Sequence, residues 1–393
     1  MNGYLDQYPY TKIYFGSGKR NDLGAICSDL GKKCLLITSR GFAQRLGFLD
    51  QVKATLEKAG IRPEVFAGIE PEPSDATVLK LAEHIKQSAP QFLVALGGGS
   101  VIDACKCAET IATLGMALKD MYCADSVTAA IKKTGGRLRP LIALPTTAGS
   151  GSEVTKYAVI FDQSEKTKVL IIDLALCPSI AVIDPELNLT GPLKLTVASG
   201  LDAFSHILES YLNPQAGPDW LTPMSIEGIG LILENLPRLK QSLSDLSARE
   251  KMSLASTYGG IGITYKGTGL PHGFSYCFKD ILPHGSAVAL TIVPSWRYYL
   301  PAVEEKTRKL APIFGVDPGL GLDALGDGIF SRLNDFYRGL GHPARLSEVP
   351  EMTEEIYQNA VKAVMKTPQK LANAPRPVPL DQAELILARI LRS

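Results

Sequence analysis

The run Phe92-Leu-Val-Ala-Leu96, followed at once by Gly97-Gly98-Gly99-Ser100 and then by Val101-Ile-Asp-Ala-Cys-Lys106, decides the fold. An apolar run that ends on glycines reads as a strand buried on both faces, and the segment beyond the glycines has the texture of a helix. A strand that passes through glycines into a helix N-terminus offers free backbone N–H groups to a phosphate. Glycine lets the main chain approach such a group closely. The pattern is not the GxGxxG fingerprint, because Val101 and Ile102 follow Gly99. A tight strand-to-helix turn is the plain alternative.

Similar apolar runs lie at residues 34–38, 141–144 and 180–183, each leading into turn residues or a helix-like segment. Between them, residues 74–87 place Val78, Leu79, Leu81, Ala82 and Ile85 on one helical face, with N-cap chemistry from Ser74 and Asp75. Strands alternating with helices predict a mostly parallel sheet. The 141–144 strand runs into Pro145-Thr-Thr-Ala-Gly-Ser-Gly-Ser-Glu-Val-Thr155, where hydroxyls cluster beside two glycines. Ligands of open α/β sheets bind at the carboxyl ends of strands, so two such turns point to one shared phosphate-bearing ligand. For Ser152 or Thr155 alone, a cap or a side-chain turn explains the hydroxyl better. After Asp184-Pro185 the texture changes, and residues 193–212, 222–242 and 248–262 read as helices. The expected organisation is an α/β domain over 1–188 and a helical domain over 189–393.

The chain has 393 residues, with 41 basic and 40 acidic side chains and a formal charge of +1. Composition excludes disorder, collagen and coiled coil. Near-neutral charge without a basic block gives no reason to expect nucleic acid or an acidic membrane as partner. The stretch Met1-Asn-Gly-Tyr-Leu-Asp-Gln7 lacks the basic and apolar regions of a signal peptide, and no apolar run is long enough for a membrane helix. A cytoplasmic protein with a small-molecule partner is expected. Seven cysteines, an odd number with no CxxC pair, read as buried thiols in a reducing compartment.

Three of the five histidines fall between residues 206 and 284. His206 follows Asp202 by four, which on a helix puts carboxylate and imidazole on one face. His272 and His284 each stand in a Leu-Pro-His-Gly segment. One carboxylate and three imidazoles suit Fe(II), Zn(II) or Co(II). Taken singly, the Asp/His pair is better explained by a surface or core hydrogen bond and each Pro-His-Gly by a turn. His84 and His342 have no such company and are assigned to structure.

Together, Gly97-Gly-Gly-Ser-Val-Ile-Asp103-Ala-Cys-Lys106, the 145–155 segment, Gly200-Leu-Asp-Ala-Phe-Ser-His206 and Pro283-His-Gly resemble the iron-containing (group III) alcohol dehydrogenases in order and spacing. Ile183-Asp-Pro-Glu-Leu187 and Asn373-Ala-Pro-Arg376 extend the likeness. The resemblance implies a Rossmann-like N-terminal domain and an all-α C-terminal domain, the dehydroquinate synthase-like architecture. It also implies a nicotinamide cofactor in the cleft and a divalent metal facing its ring, iron ahead of zinc. Carried over by position, Asp202, His206, His272 and His284 are the implied metal ligands. Gly98, Gly99 and Ser100 would hold the pyrophosphate. Asp103, Thr146, Thr147, Ser150 and Thr155 would line the cofactor, and Lys168 would reach the nicotinamide-side ribose. The implied activity is hydride transfer between the nicotinamide and a small alcohol or aldehyde, in a homodimer or larger assembly.

Three departures from the family pattern carry information. Many members have an acidic residue just after the second strand, whereas Ser39-Arg40 stand here and suit a 2′-phosphate, which favours NADP(H) over NAD(H). Tyr276 occupies a position where several relatives have a histidine near the nicotinamide, and its phenol can hydrogen-bond or relay a proton. The segment between His272 and His284 is two residues shorter than the family spacing. Two rival functions share the features: a sugar-phosphate cyclising lyase of the dehydroquinate synthase type, and a non-enzymatic nucleotide-binding protein with a structural metal.

Overall fold

Apolar side chains on both faces of Phe92–Gly97 require cover on both sides, and a central place in a parallel sheet supplies it. The structure, a computed structural model, describes residues 3–392; Met1 and Asn2 of the N-terminal stretch lie outside the described residues. The strands in chain order are β1 (Lys12–Phe15), β2 (Lys33–Ser39), β3 (Arg62–Ile69), β4 (Phe92–Gly97), β5 (Leu141–Pro145), β6 (Tyr157–Asp162), β7 (Thr167–Ile172) and β8 (Ile180–Ile183). Six of them pair in parallel in the order β1-β8-β5-β4-β2-β3, and β6 and β7 form a separate antiparallel hairpin.

Successive residues of the central strands go to opposite faces. Leu35, Ile37, Leu93, Ala95, Leu141 and Ala143 pack with Val78, Leu81 and Ile85 of the Asp75–Ser88 helix and Ile102 and Cys105 of the Gly99–Leu114 helix. Cys34, Leu36, Val94, Leu96, Ile142 and Leu144 pack with Val52 and Leu56 of the Phe48–Lys58 helix. Both faces are therefore dry, which is why these strands read as unbroken apolar runs. Ser74 caps its helix as expected, its Oγ accepting the Thr77 N–H at 3.3 Å. From β2 the chain steps outward to β3, then returns to lay β4 on the other side of β2. This reversal leaves a crevice at the carboxyl ends of β2 and β4, the place where open sheets bind ligands.

β1, β3 and the β6–β7 hairpin have no counterpart in the sequence pattern. β1 is a four-residue edge strand, too short for a periodicity. β3, the other edge, carries Pro63 and Gly68 and is only half-buried along most of its length, so it shows neither a buried run nor a clean alternation. Cys27, Cys34, Cys105 and Cys107 are buried, but Cys123 is exposed and Cys177 and Cys277 are partly so, a correction to the expectation of buried thiols. His84 lies within 2.9 Å of Glu64, and His342 is buried with Nδ1 2.7 Å from the Pro343 carbonyl.

Asp184 shows why the Ile183-Asp-Pro-Glu-Leu187 segment matters to the α/β unit. Its buried carboxylate accepts from the N–H groups of Gly18, Arg20 and Glu186 at 3.0–3.1 Å and from Arg20 Nη1 at 2.7 Å. Asp184→Ala strands three backbone donors, while the Arg20 guanidinium keeps its pair with Glu186 at 2.6 Å. A loss of about 2 kcal/mol is expected, read as a lower urea midpoint for this unit.

The chain divides into two compact units: one runs to Thr147 and resumes over Gly151–Thr190, and the other takes Ala148–Ser150 and everything from Gly191 onward. The second unit is helical. Its Leu193–Leu212 helix is buried on nearly every side, so its polar residues must find partners inside the protein. Around it pack Leu221–Gln241, Leu246–Lys266 and His284–Tyr299. Asp245 starts the second of these, its carboxylate accepting the Ala248 N–H at 3.0 Å. No helix among the described residues is long and apolar enough to cross a membrane.

Candidate functional site

In the helical unit, three separate elements bring their side chains to one point. Asp202 and His206 share a face of the Leu193–Leu212 helix. His272 sits in the first turn of Leu270–Ser275, opened by Pro271, and His284 is the first residue of His284–Tyr299, capped by Pro283. Each Pro-His-Gly is thus a helix start, with proline at a position where its missing N–H costs nothing. The following glycines permit close approach. A Cβ on Gly285 would lie 2.0 Å from the Ala198 carbonyl oxygen and 2.7 Å from the Asp202 Cβ.

Asp202, His206 and His272 are all buried and can each offer one ligand atom within 4.8 Å of the others. His284 stands at the rim, its side chain 37% exposed against 10% for Asp202. Asp202 Oδ1 is buried without a hydrogen-bond partner, although the Nε2 atoms of His206, His272 and His284 surround it at 3.9, 3.8 and 3.7 Å. Nε2 of His206 and Nε2 of His272 face each other at 3.0 Å. Nδ1 of His206 lies 3.3 Å from the Gly149 carbonyl, and Nδ1 of His272 meets the Glu209 carboxylate. Acceptors at both Nδ1 atoms favour the ring hydrogens there, the arrangement in which Nε2 lone pairs turn toward Asp202. Lone pairs and a carboxylate converging in a buried place repel one another, and a divalent cation among them removes the repulsion. The residues present therefore fit such a metal.

Burial holds the His272 imidazole well below its ordinary range, with the neighbouring His206 ring and the Lys370 ammonium acting in the same direction. Burial also pushes the Glu209 carboxyl up to about 7, opposed by the Lys370 charge and the Gly269 N–H bond. Neither Glu209 nor Lys370 was singled out from sequence. Glu209 did carry a signal: it follows Asp202 by seven and His206 by three, the same helical face. Lys370 carried none. It is buried, bonds Thr268 Oγ1, and lies 6.0 Å from the Tyr276 ring. Tyr276 in turn stacks nearly parallel to His284, with centroids 6.5 Å apart.

In the α/β unit the two polar turns meet. Gly98 is the N-cap of Gly99–Leu114, whose first turn holds Gly99 and Ser100. The Thr146 N–H donates to the Gly97 carbonyl at 3.1 Å, and a Cβ on Gly98 would come within 3.2 Å of Thr147 Oγ1. Ser39 ends the neighbouring strand β2, and the exposed Arg40 follows it. Other residues have partners elsewhere. Asp103 accepts from Ser152 Oγ and, at 2.9 Å, from the Val159 N–H, which ties the β6–β7 hairpin to the helix. Thr155 is buried, with Oγ1 3.2 Å from the Lys106 ammonium. Lys168 pairs with Glu72 at 2.6 Å, and Ser150 clusters with the helical unit.

The matches to known proteins agree with this arrangement. Residues 10–185 match the family model for iron-containing alcohol dehydrogenase, and residues 196–391 match that for the C-terminal part of the Fe-containing alcohol dehydrogenase family. An NAD-dependent methanol dehydrogenase of Bacillus methanolicus is 30% identical over 87% of this chain and 88% of its own. An NADPH-dependent butanol dehydrogenase of Clostridium saccharobutylicum is 30% identical over 90% of this chain and 88% of its own. The crystal structure of a 1,3-propanediol oxidoreductase superimposes with a TM-score of 0.88 at 28% identity, covering 98% of this chain and 99% of that one. The chain belongs to the iron-containing alcohol dehydrogenase family. It is accordingly a metal-dependent oxidoreductase that moves a hydride between a nicotinamide cofactor and a small alcohol or aldehyde, and the two rival functions give way.

Proposed function

We propose that Asp202, His206, His272 and His284 hold one divalent metal, iron(II) ahead of zinc(II), and that the chain interconverts small alcohols and aldehydes with NADP(H) in preference to NAD(H). The observation that carries the reading is the buried, unpartnered Asp202 Oδ1 ringed by imidazole nitrogens at 3.7–3.9 Å. When bound, the metal supplies Lewis acidity to an alcohol or carbonyl oxygen, and the nicotinamide gives or takes the hydride. The chain's own residues do the remaining work. The buried side chains of Asp202, His206 and His272 keep water from one side of the site, and the half-exposed His284 marks the side open to substrate. Tyr276, beside His284, is placed to carry the alcohol proton toward solvent. Gly98, Gly99 and Ser100 present a helix N-terminus to the pyrophosphate.

Support for NADP(H) comes from the end of β2, where Ser39 and Arg40 stand without a neighbouring carboxylate in the sequence. A second cation is close by, since Arg45 Nη1 lies 3.2 Å from where a Gly41 Cβ would sit. Ser39→Asp puts a negative charge against the 2′-phosphate and should lower the ratio of kcat/KM for NADPH over NADH by about tenfold or more. An unchanged ratio in steady-state assays with both cofactors would remove the cofactor assignment.

A further inference from the structure

Glu209 is a buried acid whose two oxygens have different tasks. Its side chain is 4% exposed. Oε2 accepts the Gly269 N–H at 2.7 Å and so anchors the segment entering the Leu270–Ser275 helix, while Oε1 meets Nδ1 of His272. Resting on the metal reading above, we propose that Glu209 is a positioning residue for His272: it holds the ring as the Nδ1–H tautomer and turns the Nε2 lone pair toward Asp202 and His206.

A neutral imidazole has one ring hydrogen to place, and the nitrogen facing the stronger acceptor takes it. In His272 that nitrogen is Nδ1, against a carboxylate. With the hydrogen on Nε2 instead, the Nδ1 lone pair would meet the carboxylate in a place without water, where repulsion is poorly screened. Lys370 provides the compensating charge from the Pro368–Ala372 helix, held by its bond to Thr268 Oγ1. Tyr299 closes the far side, its hydroxyl 3.8 Å and Glu209 Oε2 3.7 Å from where a Gly269 Cβ would be. A carboxylate is the one side chain of this length that presents two acceptors in a fork. Glutamine has the same shape but only one acceptor. The Gly269 N–H cannot give up its hydrogen, whereas His272 can exchange tautomers. The amide oxygen of Glu209→Gln must therefore face Gly269 and its NH2 must face Nδ1 of His272. That drives the ring hydrogen to Nε2 and takes away the lone pair on the metal side.

The test is 15N NMR of the full-length, chelator-treated protein labelled at histidine. The chain has five histidines, and the His272 signals are assigned by their loss in His272→Gln. The wild type should show the hydrogen on Nδ1 of His272, and Glu209→Gln should show it on Nε2. Titration with Zn(II) or Co(II) should then give a dissociation constant about 10- to 100-fold higher in Glu209→Gln, with NADPH affinity unchanged. A role confined to anchoring Gly269 would leave tautomer and metal affinity alone. A wild-type ring with its hydrogen on Nε2 overturns the proposal whether or not the variant folds, and so does a Glu209→Gln protein with the wild-type tautomer and metal affinity. Should the wild type take up no stoichiometric metal, the proposed function fails, while the tautomer measurement still decides the role of Glu209.

Discussion

Alanine at His206 will leave a protein that binds NADPH but retains no metal, and turnover will fall by at least about 10³-fold, since a Lewis acid is worth several kcal/mol in such a reaction. His206 is one of three buried residues that can each offer a ligand atom, and its Nε2 lies 3.0 Å from Nε2 of His272. Its loss leaves Asp202 and His272 with a single partner at the rim, His284, whose side chain is over a third exposed. Gly98, Gly99, Ser100 and Thr147, proposed to line the cofactor, belong to the other compact unit, so NADPH affinity should persist. Elemental analysis and steady-state rates on the same preparation check both halves. A His206→Ala protein that keeps one metal per chain and wild-type turnover would contradict the ligand assignment.

Gly285→Ala should be nearly as damaging, through backbone packing rather than chemistry. The new methyl would lie 2.0 Å from the Ala198 carbonyl oxygen and 2.9 Å from the Asp202 nitrogen, both in the main chain of the Leu193–Leu212 helix. No rotamer relieves a clash with a helix backbone, so the His284–Tyr299 helix must retreat and take His284 with it. The cost lies at the upper end of overpacking, about 3 kcal/mol. For a unit of this size, that lowers Tm by roughly 10 °C. Metal affinity should fall with it, because the separation of His284 from Asp202 is what the retreat changes. Thermal denaturation and Zn(II) titration measure the two effects. Wild-type values for both would show that the helix contact does not set the site.

What could be read in the sequence follows from how each residue is used. β4 and its glycine turn were legible because a strand buried on both faces is apolar throughout, and the helix after it begins where the apolar run ends. β3 was not, since an edge strand with Arg62 exposed and Glu64 half-exposed shows neither period. Asp202 and His206 declared themselves by a spacing of four on an otherwise apolar helix. His272 and His284 lie on separate helices, so no local periodicity joins them, and only the repeated Pro-His-Gly and the family resemblance did. Glu209 extends the Asp202–His206 face by one turn and could have been found by continuing the same count. Lys370 could not: it reaches Thr268 only through the fold, across a long stretch of chain. Asp103 follows a phosphate-type turn in sequence, yet its carboxylate bonds Ser152 and Val159. A motif places a residue after a turn without saying whether its side chain faces a ligand or the packing behind it.

One metal held among Asp202, His206, His272 and His284 is proposed to make the chain an alcohol dehydrogenase. The most direct test is a single preparation of wild type, purified without chelator and reconstituted anaerobically with Fe(II). Metal content is measured beside NADPH oxidation by a panel of small aldehydes, before and after chelation. One iron per chain is expected, with turnover lost on chelation and restored by Fe(II). Full turnover in protein shown to be free of metal would contradict it.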